Sequence, residues 1–115
     1  MADTTINVTY TLAFDEERLS EVFVTACEGG INYWAQVDEY DWTAPGTAVL
    51  SYENEQGEPD KRYITSGLVV VAAGLQRAAE RGLTDTVDRI HSGDYDAADA
   101  DAIIQLAVCD DVIYG

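Results

Sequence analysis

The run Glu28-Gly29-Gly30-Ile31-Asn32-Tyr33-Trp34 constrains this chain more than any other stretch, because a helical periodicity ends there and a period-two alternation follows. Upstream, Leu19, Val22, Phe23, Ala26 and Cys27 recur at i, i+3, i+4, i+7 and i+8, the stripe of a helix buried on one side. Asp15 fits the N-cap, and Glu16 and Glu17 fill the first turn, where the helix dipole favours acids. Phe14 and Leu19 would flank that cap as a hydrophobic staple. Gly29 is placed to follow the helix C-terminus, and Gly30 frees the next step of the backbone. Downstream, Ile31, Tyr33, Ala35 and Val37 alternate with Asn32, Trp34, Gln36 and Asp38. This predicts a strand from Ile31 to about Trp42, with Tyr33 in the core and Trp34 on the opposite face. The apolar phase then shifts by one residue to Tyr40 and Trp42, so a bulge is expected near Asp38-Glu39.

The rest of the chain fits around this corner. Before it, Ile6, Val8, Tyr10, Leu12 and Phe14 alternate with Thr5, Asn7, Thr9, Thr11 and Ala13, a strand signature. After it, Pro45-Gly46 marks a turn, Ala48, Leu50 and Tyr52 lead a strand ending near Glu53, and Glu55 to Asp60 is a polar turn. Lys61 to Thr65 completes the meander. Thr65 or Ser66 caps a helix with Leu68, Val71, Ala72, Leu75 and Ala79 on its main stripe; it is apolar on more than one face and ends at Gly82. Gly74 within it costs about 1 kcal/mol relative to Ala and points to close packing. Thr84 caps a short helix ending at Ser92-Gly93, and Asp94 or Asp96 caps a last one, Ala97 to about Val108. The partly apolar tail, Asp110 to Gly115, is expected to dock, as an added strand in one reading. The whole reads as a single α+β domain, 1–115. It has an antiparallel sheet of about four strands in the order β-α-β-β-β-α-α-α, with the helices packed on one face.

Composition narrows the function classes. At 115 residues and 47% hydrophobic, the chain can bury one core. Its 22 acids against 6 Lys plus Arg give a formal net charge of -16. Direct binding to a phosphate backbone or an anionic membrane is disfavoured, since both would repel it. The acidity admits three readings: solubility in an acid-rich proteome, docking on a basic protein, or, within the second, mimicry of the nucleic-acid backbone. Asp85, Asp88, Asp94, Asp96, Asp99 and Asp101 form the densest group, either a solvated helical face with caps or a docking strip for a basic protein. No run approaches the roughly 20 apolar residues needed to span a bilayer. Cys27 and Cys109 read as reduced thiols.

The corner is the best binding candidate. Gly29 and Gly30 would let a ligand near backbone amides, Trp34 offers a stacking face, and Asn32 a bidentate amide. The competing reading is structural: a helix stop, a core Tyr33, and Trp34 covering the sheet. The glycines make no phosphate loop, because they follow a helix and no Lys follows them. Trp34, Tyr40, Trp42 and Tyr52 would form an aromatic face on the hairpin, able to take a partner or a second copy as a homodimer. Glu28, Asp38, Glu39 and Asp41 supply carboxylates, yet no calcium-loop pattern is present. His91 lies near a helix C-terminus, where a cation is favoured, and neither it nor the cysteines fall in a protease or zinc pattern. Thus no metal, cofactor or catalytic residue is indicated.

The Glu28 to Trp34 run, the apolar helix after Thr65-Ser66, and the ending Asp101-Ala102-Ile103-Ile104-Gln105-Leu106 to Val112-Ile113-Tyr114-Gly115 together resemble a family of small proteins from tailed phages of actinobacteria. The resemblance spans most of the chain. It departs at Cys109-Asp110, where family members carry a Phe-Gly pair. It brings no established activity, and it implies a phage accessory protein in the host cytoplasm. The expected function is therefore binding to another protein, a basic host protein above all, with nucleic-acid mimicry as one form of it. The alternative is a small-ligand or nucleotide binder at Gly29-Gly30 and Trp34; an enzyme using the carboxylates ranks below both.

Overall fold

A computed structural model describes residues 12–115. The expected first strand lies outside the described residues apart from Leu12, Ala13 and Phe14. Four helices and three strands follow: α1 (Glu16–Thr25), β1 (Ala35–Asp41), β2 (Thr47–Glu53), β3 (Pro59–Ile64), α2 (Gly67–Glu80), α3 (Thr84–Ser92) and α4 (Ala97–Cys109). The strands form one antiparallel sheet in the order β1-β2-β3.

Local chemistry sets most boundaries. The Asp15 carboxylate accepts from the Arg18 amide at 2.8 Å, and Ser66 caps α2 through the Val69 amide at 3.2 Å. Asp96 caps α4 in a reciprocal capping box with Asp99. By contrast, α3 starts at Thr84 from a Leu83 cap position without a side-chain bond, so the expected Thr84 cap is not made. Between Asp38 and Asp41 the pairing of β1 with β2 shifts register, and Glu39 sits at φ 50°, where the phase change in the sequence places a bulge. Strand β3 begins two residues earlier than its apolar pattern suggests, at Pro59.

One face of the sheet supplies Ala35, Ala48, Leu50 and Ile64 to the core. The helices close over it with Val22, Phe23, Val71, Leu75, Ile90, Ile103, Ile104 and Leu106. The outer face carries Gln36 and Lys61, exposed, and Tyr63 at 67% exposure. Helix α2 lies against α4, with Gly74 buried at the crossing: a Cβ there would stand 2.2 Å from the Ile103 carbonyl oxygen. Arg77 of α2 donates to the Leu106 and Ala107 carbonyls, both at 2.7 Å, and so closes the C-terminus of α4. Both cysteines are free thiols; burial pushes Cys27 up to about 12 and Cys109 up to about 11.

Candidate functional site

The Glu28 to Trp34 corner differs from its sequence reading at three points. Gly29 does not end the helix. The chain continues as a π turn, Ala26–Gly30, closed by the Ile31 amide on the Ala26 carbonyl at 3.0 Å. Gly30 is there for close approach: a Cβ on it would lie 2.8 Å from the Ala97 carbonyl oxygen, at the start of α4. The strand begins only at Ala35, so Ile31 to Trp34 form a turn in which period-two alternation does not operate. Tyr33 is therefore 59% exposed instead of core, and Tyr33 and Trp34 reach the same acceptor instead of opposite faces.

That acceptor is Asp101 of α4. Its carboxylate receives the Tyr33 hydroxyl at 2.6 Å, the Trp34 indole N–H at 2.7 Å and the Gln105 amide at 2.9 Å. Three donors on two oxygens suit a group that only accepts. Gln105, fully buried one turn later, uses its other end on the tail: Oε1 accepts from the Ile113 and Tyr114 amides, both at 2.9 Å. The Tyr114 ring lies flat on Trp34, with centroids 4.7 Å apart and planes within 2°. Its hydroxyl donates to the Glu53 carbonyl at the end of β2. The tail docks as expected, but side chains hold it; it adds no strand to the sheet.

The groups offered for ligand binding are thus engaged within the chain. Asn32 donates to the Cys27 carbonyl at 3.2 Å, and Tyr40 donates to Glu28 at 2.8 Å. One face of Trp34 is covered by Tyr114, and Tyr52 meets its edge at 5.5 Å. Tyr40 and Tyr52 pack on the core, as Trp34 does, so the four aromatics share no open face; only Trp42, at 65%, is strongly exposed. The carboxylates Glu28, Asp38, Glu39 and Asp41 do not converge: Asp38 accepts from Gln36, and Asp41 from the Thr43 amide. Among the described residues no three His, Cys, Asp or Glu side chains gather as a metal site would require. His91 sits exposed in the last turn of α3, edge-on to Phe14 at 5.4 Å. Compared with protein-family models, curated proteins and solved structures, the chain matches none.

The six-residue acidic strip also divides. Asp85, Asp88, Asp94 and Asp96 are exposed, whereas Asp99 and Asp101 are buried, at 5% and 8% exposure. The Arg89 guanidinium grips Asp99 at 2.6 and 2.9 Å and holds its carboxyl below the usual carboxylate range. At most four of the six can meet a partner. Helical spacing in α4 turns Asp101 inward on the face that also carries Gln105, while Asp99 turns back to complete the cap.

Although Tyr33 is 59% exposed, desolvation of its hydroxyl where it meets Asp101, together with that hydrogen bond, pushes the phenol up to about 12; burial and the bond to Glu28 push Tyr40 up as well. A phenol raised above its unfolded value of about 10 contributes stability in full below that value and loses it as pH rises through the folded value. Tyr52 and Tyr114 are pushed up too, chiefly by burial, so chemical denaturation followed from pH 9 upward should show stability declining from about pH 10, with the phenolates of Tyr33, Tyr40, Tyr52 and Tyr114 appearing late in ultraviolet absorbance. Tyr33→Phe should remove one late phenolate. Ionisation of Tyr33 near 10, as for free tyrosine, would show that the bond to Asp101 is not held in solution.

Proposed function

We propose that this chain acts by binding another protein of basic character, through the acidic face formed by α3 and the α3–α4 connection. One observation carries the reading: the acids face outward and uncompensated. Among the described residues only Asp99 and Asp101 are buried acids, and four of the six basic side chains, Arg18, Arg77, Arg81 and Arg89, are taken up by ion pairs within the chain. Asp85, Asp88 and Asp94 accept no hydrogen bond from the described residues and stand free for a cationic surface. The resemblance to small actinophage proteins favours a host protein as that partner, and the filled corner lends no support to a small ligand there.

A pull-down from host lysate at low and high salt, repeated with Asp85→Asn/Asp88→Asn/Asp94→Asn, tests this. Asp96 is left intact because it caps α4. Each exposed pair is worth about 0.5 kcal/mol, so the triple variant should bind about tenfold more weakly. High salt should release the wild-type complex. Competition by duplex DNA for the captured protein would mark nucleic-acid mimicry. A complex that ignores both salt and the three substitutions would refute the acidic face as the docking surface.

A further inference from the structure

The groups that hold the tail specify it position by position. The Gln105 amide reads its backbone: Oε1 accepts from the Ile113 and Tyr114 N–H groups, and Nε2 donates to the Tyr114 carbonyl at 3.2 Å. Trp34 offers a flat face to the Tyr114 ring, and the Glu53 carbonyl accepts from its hydroxyl, a contact that phenylalanine cannot make. Gly115 follows at φ 123°, in the region that favours glycine, where a Cβ would stand 3.4 Å from the Tyr33 hydroxyl. We propose that Trp34, Gln105 and the Glu53 carbonyl form a recognition slot for an extended aliphatic-Tyr-Gly segment of a partner protein, and that Ile113-Tyr114-Gly115 fills this slot in cis as a built-in competitor.

The slot is built without the tail. Asp101 accepts from the Trp34 indole N–H at 2.7 Å and from Gln105 Nε2 at 2.9 Å, so one carboxylate fixes both recognition groups. Preorganisation of this kind lowers the cost of taking a ligand. Withdrawal of the tail would strip Gln105 Oε1, on a fully buried side chain, of both its donors, so a vacated slot favours another peptide that brings the same two N–H groups. The tail itself is lightly attached. Val112 is 43% exposed, and the root is held by exposed ion pairs: Arg77 with Asp110 at 3.2 Å, and Arg81 with Asp110 and Asp111 at 3.5 and 3.3 Å. Such pairs add little net stability, yet they keep the root in place while Val112 to Gly115 swing away. A partner is favoured over a second copy, because two chains at -16 repel each other and each already carries a tail for its own slot. That tail, at an effective concentration in the millimolar range, sets the threshold an incoming segment must exceed. The slot shares no residue with the free acids Asp85, Asp88 and Asp94, so either assignment can fail alone.

The test uses the full chain and, as probe, the synthetic peptide Asp-Val-Ile-Tyr-Gly blocked at both ends. In a Trp42→Phe background, Tyr114→Ala should bind the peptide saturably, read by Trp34 fluorescence. With Tyr114 intact, about tenfold more peptide should be needed, since the chain's own tail competes. Phenylalanine in place of the peptide's tyrosine should weaken binding about fivefold through loss of one hydrogen bond, and alanine should abolish it. This peptide series leaves the protein unchanged. Should Tyr114→Ala not unfold cooperatively in urea, titration of the isotope-labelled wild type decides instead: the Trp34 indole and Gln105 amide signals should shift saturably with the tyrosine peptide. No saturable change, or equal binding of the tyrosine and alanine peptides, would overturn the proposal. A wild-type dimer in sedimentation that Tyr114→Ala dissolves would assign the slot to a second copy and overturn it too.

Discussion

Replacing Asp101 by Ala should destabilise the protein by about 3 kcal/mol and lower its melting temperature by about 10 °C. The carboxylate serves three donors, and deletion removes all three bonds in one step. Tyr33 is exposed enough to turn to water, so its share is the smallest. The Trp34 indole lies beneath Tyr114 and is left with a donor to satisfy, whereas the buried Gln105 amide loses its shortest acceptor but keeps the Tyr33 hydroxyl and the Tyr114 carbonyl, both at 3.2 Å. Hydrogen bonds to a charged acceptor are worth about 1.5–3 kcal/mol each, and an orphaned buried donor costs its full desolvation. Asp101→Asn keeps the shape but turns an NH2 group toward a donor, so it should fall between the wild type and Ala. Gln105→Leu should act at the other end, leaving the Ile113 and Tyr114 amides without their acceptor and freeing the tail to proteases. Urea denaturation gives the stability order, and Trp34 fluorescence in a Trp42→Phe background reports whether Tyr114 stays stacked. A loss below about 0.5 kcal/mol for Asp101→Ala would mean that the network contributes nothing net.

The same network marks the limit of what the sequence shows. Periodicity and capping residues located α1, α2, α4, the hairpin and the bulge at Glu39, because those depend on neighbours within one turn or one strand pair. The corner depends on a partner 67 residues away, Asp101, which no local pattern in Tyr33 or Trp34 announces. Alternation from Ile31 to Asp38 suggested a strand, yet Gly30 packed on Ala97 keeps the chain helical for one more turn and delays the strand to Ala35. One signal was present. Gln105 interrupts the apolar run Ala102 to Val108, and a long amide in a helix otherwise buried needs partners. With Asp101 one turn before it, the two polar groups share an inward face, which removes Asp101 from any solvated strip. Asp99 gave the converse cue: three residues after Asp96, it occupies the position that completes a capping box.

Gly74→Ala should destabilise the protein by about 2–3 kcal/mol, although in most exposed helix interiors the same change stabilises by up to about 1 kcal/mol. The sign reverses because of what the new methyl would meet. Its nearest neighbour is the Ile103 carbonyl oxygen at 2.2 Å, then the Ile103 Cγ2 at 2.7 Å. The first is backbone within α4, already fixed by helical hydrogen bonding, so it cannot move aside alone. Helices α2 and α4 must separate, and the contacts of Val71, Leu75 and Ala78 with Ile103 and Leu106 loosen along the crossing. Trimming Ile103 to Val would not rescue the variant, since the carbonyl oxygen remains. Gly29→Ala provides the contrast: nothing lies within 4 Å of its Cβ position and its φ is not positive, so Ala there should be neutral or stabilising by up to about 1 kcal/mol. Denaturation midpoints of the two variants should therefore move in opposite directions. If Gly74→Ala matches or exceeds the wild type, the close crossing of α2 and α4 is not what fixes the core.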